Sequence, residues 1–296
     1  MKRGSYWLIA ACALVLNAAV SGCGAEGERG QETGQTAVAA VTGYIDLGTA
    51  RIYYEDSGSG RPVVMLHGGL LDAAMWDGQF EEFAKRYRVI RYDARGHGRS
   101  VCMPDTFSHH EDLRAVIEKL GLEKPVIVGL SMGGYTAIDF ALEYPDLPAA
   151  LVLVSPGLTG YEFKSPEFME FSKRIGAAVR SDDTEEIVEA FQTAWTDGPR
   201  RTPEGIDPAI RRKVREMILK NVQGWEERSI EYRPRPLAIE RLDSLRVPVL
   251  ALAGDLDMPG ILEIVELIES NVAGSQTVLV SGSAHLINME KPEEFN

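Results

Sequence analysis

Cysteine is scarce in this chain, with three residues in 296. Cys12 and Cys23 both fall near the N-terminus. Cys102 therefore stands alone in the remainder, and an intradomain disulfide is excluded whatever the redox compartment. Histidine numbers only five, none in a His-x-x-x-His spacing, and no cysteines cluster, so no metal ion is expected. No Gly-x-Gly-x-x-Gly opens a helical pattern, so no dinucleotide is expected and the reading requires no cofactor. Positive charge is short too: 31 Lys and Arg face 44 Asp and Glu, a net charge of −13. A surface of that sign repels phosphate backbones and excludes nucleic acid as the natural partner. The apolar stretch at 6–20 is too short to span a bilayer comfortably.

What is present starts with a leader. Lys2 and Arg3 precede that apolar stretch, and Val20-Ser21-Gly22-Cys23 closes it, the layout of a secretory signal peptide over 1–22. The closing residues resemble a bacterial lipobox. That resemblance implies a diacylglyceryl thioether on Cys23, a membrane partner reached through that anchor, and an extracytoplasmic address. An ordinary secretory leader with an incidental cysteine is the alternative. Residues 23–42, rich in Gly, Glu and Gln, read as a flexible tether. Cys102 reads as a plain loop residue rather than one lining a site.

The remainder, 43–296, is long enough for a large buried core, and its composition is 45% apolar and 25% charged, ordinary for a globular protein. Residues 43–47 and 50–55 pattern as an antiparallel pair turning at Gly48. Short apolar runs at 63–66, 88–92, 126–128, 151–154, 249–253 and 277–280 then alternate with helical patterns at 75–87, 110–120, 132–144 and 261–271. Alternation of that kind indicates an α/β class with a mostly parallel, doubly wound sheet. Between about 157 and 241 it gives way to helical patterns at 167–179, 184–195 and 207–222. A second independent domain there is disfavoured by the breaks at Gly198-Pro199 and Arg233-Pro234-Arg235-Pro236. Phe168, Phe171, Phe191, Trp195 and Trp225 are expected mostly in the core of this block, one or two facing a ligand.

The most informative stretch is Val126-Ile127-Val128-Gly129-Leu130-Ser131-Met132-Gly133-Gly134. A β-branched run meets Gly-x-Ser-x-Gly and a helical pattern follows, which is the strand–turn–helix context of a nucleophile elbow. Four further motifs follow the same order along the chain: Leu66-His67-Gly68-Gly69, Asp93-Ala94-Arg95-Gly96-His97-Gly98, Gly254-Asp255-Leu256-Asp257 and Ser283-Ala284-His285. From about Gly43 to Asn296 the chain resembles the α/β-hydrolase superfamily, in its lidded esterase, enol-lactonase and haloperoxidase-like branch. The resemblance implies the α/β-hydrolase fold, with the block at 157–241 as an inserted helical lid. It also implies a full helix after His285, of which the chain carries the beginning at 291–295.

A serine hydroxyl is a weak nucleophile and needs a base within hydrogen-bond reach. His67 and His97 sit in turns and read as structural, and His109 and His110 as helix-surface residues. His285 occupies the family's base position, in the chain order Ser131, acid, His285. The acid is expected at Asp257, the last place of its turn, with Asp255 the runner-up. Two amides should meet the oxyanion: Met132, directly after the nucleophile, and by resemblance Gly69, with Leu70 as runner-up. Asp93, Arg95, Gly96 and Gly98 are expected to form a structural turn. A serine at 131 departs from the dehalogenase and epoxide-hydrolase branches, which use aspartate there.

Together these readings describe a serine hydrolase cleaving small carboxylic esters or lactones through an acyl-enzyme, with perhydrolysis as a side activity. A carbon–carbon bond hydrolase with the same triad is the rival among enzymes. A catalytically inactive hydrolase-fold lipoprotein that only binds is the rival outside them.

Overall fold

A computed structural model of the chain describes residues 40–222 and 230–296. The leader, Cys23, residues 23–39 of the tether and Trp225 lie outside the described residues. Strands β1 (Val41–Asp46) and β2 (Ala50–Gly58) open the chain, followed by β3 (Pro62–Leu66), α1 (Asp77–Phe83), β4 (Arg88–Tyr92), β5 (Val101–Cys102), β6 (Thr106–Phe107) and α2 (His109–Lys119). Next come β7 (Val126–Leu130), α3 (Met132–Glu143) and β8 (Ala150–Val154). A helical block follows with α4 (Pro166–Arg180), α5 (Thr184–Phe191) and α6 (Pro208–Val222), ending at β9 (Ile230–Glu231). The alternation then resumes with β10 (Val249–Gly254), α7 (Pro259–Asn271), β11 (Gln276–Val280) and the short α8 (Ile287–Glu290) and α9 (Pro292–Phe295).

One sheet of the described residues runs β1-β2-β4-β3-β7-β8-β10-β11, with β5 paired to β2. The pairs β1–β2, β2–β4 and β2–β5 are antiparallel, and β4 through β11 are parallel. Strand order reverses at β3, whose neighbours are β4 and β7. The C-terminal ends of β3 and β7 therefore flank the crevice in which doubly wound sheets carry their sites.

The sheet's centre is apolar on both faces, which explains the unbroken runs at Val63-Val64-Met65-Leu66 and Val126-Ile127-Val128. Val64, Ile90, Ile127 and Leu151 pack to one side with α2, α3 and α7 through Leu113, Ile138, Phe140 and Ile264. Val63, Met65, Val89, Val126 and Val128 pack to the other with Trp76, Phe80 and Ile287. Each of these runs alternates between the two clusters, as the two-residue period of a strand requires.

Several details differ from the sequence reading. The first strand begins at Val41, two residues inside the expected tether, because Val41 and Thr42 continue the ladder opposite Asp56 and Glu55. The helix expected at 75–87 is a 3-10 turn, Ala73–Trp76, followed by the shorter α1. Asp72 caps that turn by accepting from the Ala74 amide. Cys102 lies in β5, paired with Ala50 at the sheet's antiparallel end, rather than in a loop. His109 and His110 are buried, not on the helix surface. The cause is a two-stranded parallel ribbon, β6 with β9, laid over the start of α2, with the Phe107 ring 4.9 Å from that of His109.

The helical block covers the C-terminal ends of the parallel strands. Ser165 and Asp183 cap α4 and α5 by accepting from the Phe168 and Glu186 amides. Val214, Met217 and Ile218 of α6 share a cluster with Leu70, Leu71 and Met75 beyond β3. Residues 192–197 continue α5 as a π-helical turn.

Candidate active site

Ser131 stands between β7 and α3 with φ 54° and ψ −107°, a backbone conformation a side chain adopts only when its surroundings force it. The forcing groups are visible. A Cβ at Gly129 would lie 2.2 Å from the Gly133 carbonyl oxygen, and one at Gly133 would lie 2.4 Å from that of Leu66. Glycine at both places lets α3 start hard against β3 and β7. The Ser131 amide donates to Val154 and the Gly133 amide to His67, so the turn is held by the strands on both sides.

Asp257 and His285 meet in the interior. His285 Nδ1 lies 3.0 and 3.1 Å from the two Asp257 carboxylate oxygens, and the two residues are 3% and 0% exposed. The Met258 amide donates to Asp257 Oδ1 at 2.7 Å, a second anchor for the carboxylate. Their loops are interlocked. A Cβ at Gly254 would lie 2.2 and 2.3 Å from the Ser283 and Ala284 carbonyl oxygens, and the Leu256 amide donates to Ser283. Asp255 points elsewhere, accepting from the Ser281 hydroxyl and the Gly282 amide at the end of β11.

The turn after β3 closes with the Leu71 amide donating to Gly68. Open space lies where a Gly69 side chain would begin, while Leu70 is held at φ 59°, rare for leucine. Gly69 thus lies in the turn after β3, and Met132 opens α3 just beyond β7. Asn221 of α6, which nothing in the sequence singled out, anchors this turn. It is buried, donates to the Leu70 and Leu71 carbonyls at 3.1 Å, and accepts from the Gly98 amide.

The other histidines have different work. His67 Nδ1 donates to the Gly68 carbonyl and Nε2 accepts from the Ala94 amide, each at 2.8 Å, which fixes a neutral ring. Burial lowers its pKa, and burial pushes His109 down to about 3. The Asp93–Gly98 turn is structural, as expected. Asp93 accepts from the Ala73 and Arg99 amides, and Arg95 makes a two-pronged buried ion pair with Asp112. Of the aromatics, Phe168, Phe171 and Trp195 form a cluster with Phe163, and the Trp195 ring lies 4.6 Å from that of His285. Phe191 is partly buried between the two main clusters. Among the described residues no group of three His, Cys, Asp or Glu could hold a metal ion.

A doubly wound sheet with a strained serine at its switch point, a buried carboxylate–imidazole pair and a helical block above them defines an α/β-hydrolase architecture. The α/β hydrolase family model matches residues 63–296, and the chain belongs to that family. It is 28% identical over 275 residues, 89% of this chain and 94% of the other, to a 2-hydroxy-6-oxo-6-phenylhexa-2,4-dienoate hydrolase of Comamonas testosteroni. Its fold matches a thermophilic esterase from Thermogutta terrifontis with a TM-score of 0.68 at 31% identity, covering 88% of this chain and 94% of that one. It also matches an enol-lactonase from Burkholderia xenovorans LB400 with a TM-score of 0.69 at 21% identity, over 86% and 96% of the two chains. This last likeness speaks to the fold alone.

Proposed function

We propose that this hydrolase cleaves carboxylic esters or lactones through an acyl-enzyme on Ser131. The observations that support the reading are the buried Asp257–His285 pair and a serine held in a strained turn at the sheet's switch point. In this mechanism Asp257 accepts the Nδ1–H of His285, leaving Nε2 to take the Ser131 proton as Oγ attacks the substrate carbonyl. The Gly69 and Met132 amides donate to the oxyanion, each supplying about 3–4 kcal/mol of transition-state stabilisation. His285 then returns the proton to the leaving alcohol, and water, deprotonated by the same ring, releases the acid.

The resemblance to a dienoate hydrolase over most of the chain favours a second reading, carbon–carbon cleavage of a vinylogous diketone by the same residues. Purified protein offered p-nitrophenyl esters, lactones and a 2-hydroxy-6-oxo-dienoate separates the two by which substrates turn over. A fluorophosphonate probe should label Ser131 once per chain. Ser131→Ala should abolish labelling and lower kcat about a millionfold with the fold intact. Persistent labelling in that variant moves the nucleophile elsewhere, and a folded wild type that neither labels nor turns over any substrate favours a pure binding role.

The proposal extends to the N-terminus. The leader ending at Cys23 supports a lipid-anchored, extracytoplasmic hydrolase.

A further inference from the structure

Seven residues of the helical block, 195–201, are keyed onto the two loops that carry Asp257 and His285. The Trp195 indole lies against the His285 imidazole, centroid to centroid 4.6 Å. Gly198, at φ +80°, presses its backbone on both loops. A Cβ there would lie 2.7 Å from Ala284 Cβ and 2.7 Å from the Leu256 carbonyl oxygen. Arg200 Nη1 donates to the Asp255 carbonyl at 3.1 Å.

Arg201 completes the contact. Its Nη1 is 2.7 Å from Glu290 Oε2, and the two side chains are 13% and 6% exposed. Glu290 Oε1 accepts from the amide of Ala284, the residue before His285, at 2.9 Å. The other guanidinium nitrogens return to the turn that bears the indole, Nε donating to the Asp197 carbonyl at 2.6 Å and Nη2 to that of Thr196 at 3.4 Å. A buried ion pair adds little net stability over an apolar pair of the same shape, because desolvation offsets its attraction. What this pair supplies is geometry. One carboxylate holds the loop behind His285, and the guanidinium on that carboxylate holds the turn in front of it. The π-helical turn at 192–197 is what delivers Trp195 there, since π turns widen a helix and re-aim the side chains they carry.

We propose that Arg201 and Glu290 are positioning residues for His285, clamping its loop and the Trp195 turn so that the lid fixes the imidazole over Asp257. The proposal rests on the reading of His285 as the general base. Both residues act through the loops they hold. The clamp acts on the orientation of a ring, so it should be felt in kcat and in the acid limb of the pH profile rather than in KM.

The test uses Glu290→Gln and Arg201→Lys in the full chain. The amide keeps the hydrogen bond from Ala284 but loses the ion pair. The lysine keeps the charge but loses the forked contacts to residues 196 and 197. With an activated p-nitrophenyl ester, Glu290→Gln should lower kcat about ten- to a hundredfold, change KM less than threefold, and displace the acid limb. Arg201→Lys should lower kcat about three- to tenfold. The His285 ring signals in NMR should move in both variants, a readout that does not need turnover. Wild-type kcat, pH profile and ring signals in either folded variant overturn the clamp. If one variant does not fold, the other decides alone. If neither folds, the ion pair serves stability first and the proposal is overturned as stated. A wild type that hydrolyses no ester, or a Ser131→Ala variant that still does, instead refutes the underlying hydrolase reading, with the ring signals still reporting on the clamp.

Discussion

Both carboxylate oxygens of Asp257 lie within 3.1 Å of His285 Nδ1, whereas the Asp255 carboxylate is occupied by Ser281 and Gly282. On the proposed mechanism Asp257→Asn leaves the imidazole free to take the wrong tautomer, which should cost about four orders of magnitude in kcat. Asp255→Asn should cost tenfold or less, through loosening of the β11 turn. Steady-state rates of the two variants on one activated ester check the pair, and the reverse ordering would reassign the acid. A third carboxylate makes a prediction about stability. Asp139, on α3, is buried with one oxygen on the Thr159 hydroxyl and the other without a partner. Burial pushes its carboxyl up to about 6, despite that hydrogen bond and the nearby Arg233 charge. Folding therefore tightens its hold on a proton that the unfolded chain releases near pH 4. The stability so gained is present below pH 4 and is lost as pH rises through 6. Asp139→Asn should remove that loss. The variant's stability relative to wild type should rise by up to about 3 kcal/mol between pH 4 and pH 7, as read from urea unfolding. Parallel pH curves for the two proteins would dismiss the account.

Elements were legible in the sequence wherever their period was long enough to read. The parallel strands and α2, α3 and α7 fall within a residue or two of expectation, because buried apolar runs and helical periods are local properties. The elbow was legible as well, since Gly129, Ser131 and Gly133 carry the signal in five residues. What escaped was non-local. The ribbon pairing Thr106-Phe107 with Ile230-Glu231 joins residues more than a hundred positions apart, with two residues to a strand and no period. His109 and His110 were read as surface for that reason. The Asn221 contacts and the Arg201–Glu290 pair escaped for the same one: they join elements about 90 to 150 positions apart in the chain. The elbow gives its own test at this scale. Gly129→Ala places a methyl 2.2 Å from a backbone oxygen that side-chain rotation cannot move, so α3 must shift. It should destabilise the protein by about 3 kcal/mol and misplace Ser131. Gly78→Ala, on α1 with nothing within 4 Å of the new methyl, should stabilise by about 0.5–1 kcal/mol and leave kcat alone. Thermal melts of the two variants moving in the same direction would refute the packing argument.

At the scale of the whole molecule, the proposed lipid anchor and the charge would pull against each other. Without residues 1–22 the chain keeps 29 basic and 44 acidic residues, a net charge of −15. Such a protein is repelled by an anionic bilayer surface, so electrostatics offer it no residence there. Among the described residues no helix is long and apolar enough to cross a membrane. On the proposed reading, attachment would rest on acyl chains. Each buried methylene contributes about 0.8 kcal/mol, and a single acyl chain binds only marginally, so stable attachment takes the two or more chains a lipidated Cys23 would carry. Cys23 stands eighteen positions ahead of Val41, where β1 begins, and is not among the residues that form the sheet or the site. On the proposed reading, attachment and turnover are therefore separable. Protein made in a bacterial host with a lipoprotein-processing system should enter the detergent phase, and mass spectrometry should find fatty acyl groups on Cys23. Cys23→Ala should leave it unprocessed or move it to the aqueous phase, with kcat on a soluble ester unchanged within twofold. An unmodified N-terminus at another residue would exclude the anchor and leave the hydrolase standing. A large fall in kcat on releasing the protein from the membrane would show instead that the bilayer takes part in delivering the substrate.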